Sequence, residues 1–265
     1  MLLTVDIGNT NITIGLFKDD TLEATWRIAT GVHRMPDEYA VILLNLLRNS
    51  GVDTTDVTEG AVSCVVPPLV TTFNELFENY FSIKPLVISP GVKTGIRIRY
   101  DNPRELGGDR ISNAAGALSL YKPPIIVVVM GTATAFDTIS KEGDYLGGAV
   151  APGLSISAEA LYTRTAALPR VELIAPKRAI GPNTVTAMQS GIIFGYAGLI
   201  DGIVTRIHEE LGEKATVVAT GGYADIIAEE TKVIDKVNPD LTLIGIKVIH
   251  AMNRDQAKER ENAEE

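Results

Sequence analysis

A chain of 265 residues with 45% hydrophobic content is long enough to bury one large core or two of ordinary size. Its 24 basic and 33 acidic residues leave a formal charge of −9 with no long basic block, which argues against wrapping a nucleic-acid backbone or an anionic membrane and favours a small-molecule partner. No stretch reaches the roughly 18 apolar residues of a membrane span, Met1 leads directly into an apolar run, and the single Cys64 cannot form an internal disulfide, so a cytoplasmic location is expected.

Along the chain, LLTVDIGNTN at 2–11 is an apolar run entering a tight turn, and the pattern to residue 17 reads as strand, turn and strand; EATWRIA at 23–29 alternates like a third strand. DEYAVILLNLLRN at 37–49 has helical spacing, an acidic start and a stop at Ser50-Gly51. GAVSCVVPPL is expected as a buried strand closed by two prolines, TTFNELFENYF as a helix and KPLVISP as a strand. Alternating strands and helices imply a mixed sheet with parallel members. Residues 108–121 read as a helix ending at KPP, where the domain boundary is placed, giving domains 1–121 and 122–265. The second domain repeats the opening device in IIVVVMGTATAFDTIS, followed by a hairpin-like partner, GDYLGGAVAPG. TVTAMQSGIIFGYAGLIDGIVTRIHEEL at 184–211 is helical with recurrent small residues, KATVVATGGYADIIAEE is a strand, a glycine turn and a helix, and RDQAKERENAEE is a fraying charged helix end.

Three glycine turns follow strands, at 6–11, 131–134 and 220–222. Such turns expose backbone N–H groups and hydroxyls that converge on phosphate oxygens, and the helix expected after TGG at 220–222 would favour anions at its N-terminus. GxxxxGK[ST] and a strand-borne GxGxxG are both missing, and His33, His208 and His250 have no metal-ligand spacing. RYDNPRELGGDR at 99–110 sets Asp109, a proton acceptor, beside Arg110, an anion binder; Asp109 as a simple helix cap is an equal alternative. One asymmetry separates the duplicated turns: Asp6 stands two residues before Gly8, whereas Val129 stands two residues before Gly131.

Taken together, DIGNTN at 6–11, GGDR at 107–110, GTAT at 131–134, IGPNT at 180–184 and TGG at 220–222 resemble the type III pantothenate kinases over nearly the whole chain. The resemblance implies an α/β, two-domain actin-like ATPase (ribonuclease H-like) fold in which ATP is clasped between duplicated phosphate turns. It further implies transfer of the ATP γ-phosphoryl group to pantothenate, the first step of coenzyme A synthesis. By the same resemblance Asp109 is the catalytic base, and Asp6, Ile7, Gly8, Asn9, Thr10, Asn11, Ile12, Thr13 and Thr132 bind ATP. Tyr100, Gly107, Gly108, Asp109, Arg110 and Thr184 bind substrate, Thr184 serving the partner's pocket in a homodimer. Asp6 is expected to hold Mg²⁺ through water. Val129 occupies the position where the family binds an activating monovalent cation, K⁺ or NH₄⁺, so that ligand is lost and cation dependence is expected to be weak or missing. A kinase of another small alcohol and a non-catalytic nucleotide-dependent regulator are the competing readings.

Overall fold

The computed structural model describes residues 1–89 and 91–264, the side chains of 256–264 excepted. The chain divides into two units, one of residues 1–95, 101–119 and the stretch from 241 onward, the other of residues 96–100 and 120–240.

The first unit is built on strands β1 (Leu2–Ile7), β2 (Asn11–Lys18), β3 (Thr21–Ala29), β4 (Glu59–Cys64) and β5 (Leu86–Val87), ordered β3-β2-β1-β4-β5. β1 is central and almost continuously buried, whereas β3, at an edge, alternates between exposed and half-buried residues. Helices α1 (Pro36–Asn49) and α2 (Pro67–Phe81) supply Tyr39, Leu43, Phe73 and Phe77 to a core shared with Leu3, Val5 and Ile7. Pro67 and Pro68 open α2 rather than close the preceding strand, which ends at Cys64. Their fixed φ and missing N–H suit a first helical turn, whose N–H groups have no partner within the helix.

The second unit repeats the arrangement. Strands β6 (Ile125–Met130), β7 (Ala133–Ile139), β8 (Tyr145–Pro152), β9 (Thr216–Thr220) and β10 (Lys236–Val237) are ordered β10-β9-β6-β7-β8. In both sheets the first strand of the unit is antiparallel to the second and parallel to the fourth. One helix here was not anticipated: Leu154–Arg164, α4, occupies a stretch whose apolar residues give little helical periodicity. Helix α5 (Thr184–Leu211) buries Ile192, Ile193, Tyr196, Ile200 and Val204 against Ile126, Val128 and Phe136. By length and composition α5 is apolar enough to cross a membrane, although no span was expected; half of its most apolar stretch is buried within the structure. A short helix, α6 (Ala224–Ala228), follows β9.

The chain from residue 241, expected in the second domain, belongs to the first unit instead. Leu241–Glu264 forms helix α7, which packs on β1 and β4 and crosses helix α3 (Gly108–Leu120) at a glycine contact. A Cβ on Gly245 would lie 1.7 Å from Ser112 O, and one on Gly116 would lie 2.5 Å from Leu241 O, so the two backbones touch. Thr242 Oγ1 donates to the buried Asn113 Oδ1 at 2.7 Å beside this crossing. Gly245→Ala is therefore expected to cost about 2–4 kcal/mol in urea unfolding, the range of a core overpacked against rigid backbone; a loss under about 0.5 kcal/mol would show that the helices separate freely. The charged tail continues α7 to Glu264, and its side chains beyond 255 lie outside the described residues.

Candidate active site

The first turn closes on itself. Gly8 N donates to Asn11 O at 3.0 Å, and Thr30, at the end of β3, clamps the turn by donating from Oγ1 to Gly8 O at 2.7 Å and from N to Thr10 O at 3.0 Å. Asn9, Thr10 and Asn11 are exposed on it, whereas Ile7 and Ile12 are fully buried and opposite each other in the β1–β2 register. The two isoleucines therefore shape the turn and present no side chain to a ligand. Thr13 lies opposite Asp6 in the same register.

Asp6, on β1, sits beside Ser63 of β4 in the parallel pairing, at the end of the sheet where the glycine turn begins. Helix α3 starts over the same end. Gly108 approaches so closely that a Cβ there would lie 3.0 Å from Ile88 O and 3.4 Å from Ser63 Oγ. The Asp109 carboxylate folds back over Gly107, where a Cβ would lie 2.4 Å from Asp109 Oδ1. The paired glycines thus admit the carboxylate to a place that side chains would fill. Asp109 stands in the first turn of α3 with Arg110 next to it, and its carboxylate meets the backbone N–H groups of Asp109 and Arg110.

Burial dominates the electrostatics. It pushes the Asp6 carboxyl from 3.8 up to about 7, with the negative charge of Asp109 adding to the rise. The Ser63 hydroxyl lowers it a little without meeting hydrogen-bond geometry: both Asp6 Oδ1 and Ser63 Oγ are buried without a hydrogen-bond partner. Burial also raises the Asp109 carboxyl above the usual carboxylate range, against the opposing pull of Arg110 and the backbone N–H groups at the helix start. Two carboxylates close enough to repel, in a dry corner, form a unit that readily holds one proton. Ser63 was not singled out from the sequence. Its one signal is a hydroxyl within the apolar run AVSCVV, and only the register shows what it faces.

In the second unit Gly131 N donates to Ala133 O at 3.1 Å, and Gly153 N, before α4, donates to Thr132 O at 3.1 Å. The two threonines of GTAT part company: Thr132 is exposed, whereas Thr134 is fully buried and hydrogen-bonded to the Tyr196 hydroxyl. The TGG turn closes on the same sheet end, since Gly221, at φ 101°, would place a Cβ 2.5 Å from Met130 O. Beside it a cavity of about 530 Å³ is walled by one face of α4 (Ser155, Glu159, Tyr162), by Arg170 and by Tyr223. Tyr100 lies in the second unit with the strand β8, Gly107–Arg110 in the first, and Thr184 is the exposed first residue of α5, capped by the Asn183 side chain.

Val129 pairs with Ala135 on β7 and with Thr220 on β9, so it continues the sheet and offers no oxygen. The position does not fit a hard monovalent cation. Asp6 fits a divalent one: its buried, unpartnered Oδ1 ends the strand beside the glycine turn, and one carboxylate plus phosphate oxygens is a common way to hold Mg²⁺. Among the described residues no group of three or more His, Cys, Asp or Glu side chains makes a self-sufficient metal site.

A family model described as type III pantothenate kinase matches residues 2–206. A type III pantothenate kinase from Dehalococcoides mccartyi (strain CBDB1) is 52% identical over 253 residues, covering 96% of each chain. Another, from Roseiflexus sp. (strain RS-1), is 51% identical over 254 residues, 96% of this chain and 100% of that protein. Among solved structures, a Campylobacter jejuni protein described as a Baf family transcriptional activator superposes with TM-score 0.61 at 19% identity, covering 96% of this chain and 99% of that one. A ROK hexokinase from Thermus thermophilus gives TM-score 0.50 at 11% identity, covering 96% and 99%. These structural likenesses establish the fold alone, the actin-like, ribonuclease H-like architecture with two mixed sheets and flanking helices.

Proposed function

The chain belongs to the type III pantothenate kinase family, and from that premise we propose that Asp109 is the base of the reaction and Asp6 its metal-anchoring carboxylate. The reaction is phosphorylation of pantothenate by ATP to 4′-phosphopantothenate, the entry to coenzyme A synthesis. The observation that carries the residue assignment is the approach of the Asp109 and Asp6 carboxylates at one sheet end, with glycines at 107 and 108 clearing the space.

Phosphoryl transfer needs positioning, charge stabilisation and a place for the hydroxyl proton. Asp109 receives that proton from the pantothenate hydroxyl, and its raised pKa makes it a better acceptor than an exposed carboxylate. Arg110 supplies positive charge next to it and suits the carboxylate of pantothenate. The Asn9, Thr10 and Asn11 turn and Thr132 bind phosphate oxygens. The cavity beside Tyr223 has the size of a nucleoside-scale ligand and takes the remainder of the nucleotide. Asp6 would hold the Mg²⁺ that accompanies ATP, and the ion would supply neutralisation of phosphate charge. Formation of 4′-phosphopantothenate by the purified protein with Mg-ATP, compared with a panel of other small alcohols, tests the reading; turnover of another alcohol in preference to pantothenate would overturn it.

The active form in this reading is a cytoplasmic homodimer in which Thr184 completes the partner's pocket. Gly191, Gly195 and Gly198 support it. They fall on one face of α5, are exposed, and would place a Cβ in open space, so nothing among the described residues explains them. Each glycine weakens a helix by about 1 kcal/mol relative to alanine, a cost that close approach of a second helix repays. Val185 and Ile180, the latter 87% exposed, extend the apolar surface beside Thr184. Mixing inactive Asp109→Asn with inactive Thr184→Ala subunits is expected to restore about a quarter of native activity, because half of randomly paired dimers are hybrids and each hybrid has one intact pocket. No recovery after demonstrated subunit exchange would mean that each pocket is complete within one chain.

The cation requirement is proposed to be weak. With valine at 129, K⁺ and NH₄⁺ are expected to raise the rate less than about twofold over Na⁺, because a hard cation finds no carboxylate there. Val129→Asp should introduce activation, read as a rate that climbs with K⁺ at constant ionic strength. Strong K⁺ activation of the native chain would sink the proposal.

A further inference from the structure

Residues 96–100 run as a strap along β8, the outer strand of the second sheet. An edge strand exposes unpaired backbone groups. Here those of Tyr145 are met by the strap: Arg99 N donates to Tyr145 O at 2.8 Å and Tyr145 N donates to Arg97 O at 2.9 Å, a short parallel bridge centred on Ile98. Two such bonds alone would fray. What fastens them is Asp144, a residue only 7% exposed, whose two carboxylate oxygens accept from Arg97 Nε at 3.0 Å and Arg99 Nε at 2.9 Å. The turn behind holds Asp144 in place, with Ser140 N donating to Asp144 O at 2.8 Å.

The strap alternates, so its other face carries Ile96, Ile98 and Tyr100, all half-buried. The Tyr100 ring packs against Tyr145, with centroids 6.3 Å apart and planes at 59°. Gly147, at φ 111°, leaves space beneath it, since a Cβ there would lie 3.4 Å from the ring carbons. Tyr145 is itself tied to the buried Asp137 by a 2.6 Å hydrogen bond from its hydroxyl. The ring position of Tyr100 is therefore set by two things, the Tyr145–Gly147 surface and the register of the strap.

We propose that Asp144 is a positioning residue for pantothenate: by gripping Arg97 and Arg99 it fixes the strap in register and so holds Tyr100 where the substrate meets it. This rests on the assignment of Tyr100 to the substrate pocket. Both arginine side chains are more than half exposed, so the ion pairs add little to global stability; their effect is local and geometric.

The test combines kinetics with amide hydrogen exchange on the full-length protein. Asp144→Asn is expected to raise the KM for pantothenate about tenfold, leaving kcat and the KM for ATP within about twofold. Exchange at the Arg99 and Tyr145 amides should quicken while β6 amides stay protected. Tyr100→Ala should raise the same KM, and adding Asp144→Asn to it should raise it no further, because both remove one contact. An unchanged pantothenate KM, unchanged exchange at Arg99, or additive effects in the double variant would each overturn the proposal. If Asp144→Asn fails to fold, Arg97→Gln with Arg99→Gln releases the same grip from the exposed side and is read in the same way. If Tyr100→Ala leaves the pantothenate KM unchanged, the Tyr100 assignment falls and takes the positioning role with it. That result is distinct from failure of the strap itself, because Arg99 then still exchanges faster in Asp144→Asn.

Discussion

Asp109→Asn is expected to lower turnover by about two to four powers of ten, the span for loss of a positioned general base, while the protein stays folded and binds Mg-ATP. The substitution keeps the side-chain shape in the space above Gly107 and removes a charge that burial already disfavours. It also removes an acid from the first turn of α3, a loss of about 0.3–1 kcal/mol against the helix dipole, too small to unfold the unit. The carboxylate lies where its charge raises the Asp6 pKa, so the variant should in addition let Asp6 ionise at lower pH. Turnover is read under saturating substrates and folding by circular dichroism. Near-native turnover in a folded variant would leave Asp109 with nothing beyond its place at the start of the helix.

Asp6→Asn is expected to be more stable than the native chain yet almost inactive. Unfolded, the carboxyl titrates near 3.8, and in the metal-free fold near 7. Between those values the unfolded chain has already released the proton that the fold retains, so the contribution of Asp6 to stability falls as pH rises from about 4 to 7 and levels off above that range. Ionising it in the fold costs about 2–4 kcal/mol, the lower figure allowing for water at the partly exposed residue. Asparagine removes that cost, so thermal melts without metal at pH 8 should show Asp6→Asn above the native protein, with the gap closing near pH 4. Activity should fall by about two powers of ten or more, because the neutral amide holds Mg²⁺ poorly. Binding of Mg-ADP to the native protein should release a proton below about pH 7, since the ion displaces it, and calorimetry in buffers of different ionisation heat reads this directly. A variant less stable than the native chain at pH 8 would show that the Asp6 charge is satisfied within the fold.

A glycine turn after an apolar strand is legible in any chain, because such runs are local and glycine marks where the strand must stop. LLTVDIGNTN and IIVVVMGTATAFD therefore disclose the duplication in the sequence, and the two sheets with the same strand order are its three-dimensional form. The family resemblance was equally local, a matter of short motifs in order, and it named Asp109, Arg110 and the first turn. Helix α4 escaped notice because its small and polar residues give no strong stripe, and the prolines after β4 were misread because a strand end and a helix start are marked by the same residue.

Everything that joins distant residues was decided by packing. Periodicity reports which face of an element is buried but not against what. The sequence could not say that Ser63 would stand beside Asp6, 57 positions away, for that follows from the parallel register of β1 and β4. Nor could it say which threonine of GTAT faces outward, a choice made by the Tyr196 hydroxyl on α5, which holds Thr134 inside. The return of α7 to the first unit depends on two glycines, Gly116 and Gly245, whose bare backbones interlock, and their sequence separation hides the match. The sequence by itself determined the repeated strand-and-turn units and the chemical groups they carry. Tertiary structure alone decided which of those groups meet in a dry corner, because desolvation and charge repulsion exist only once distant strands and helices have closed around them.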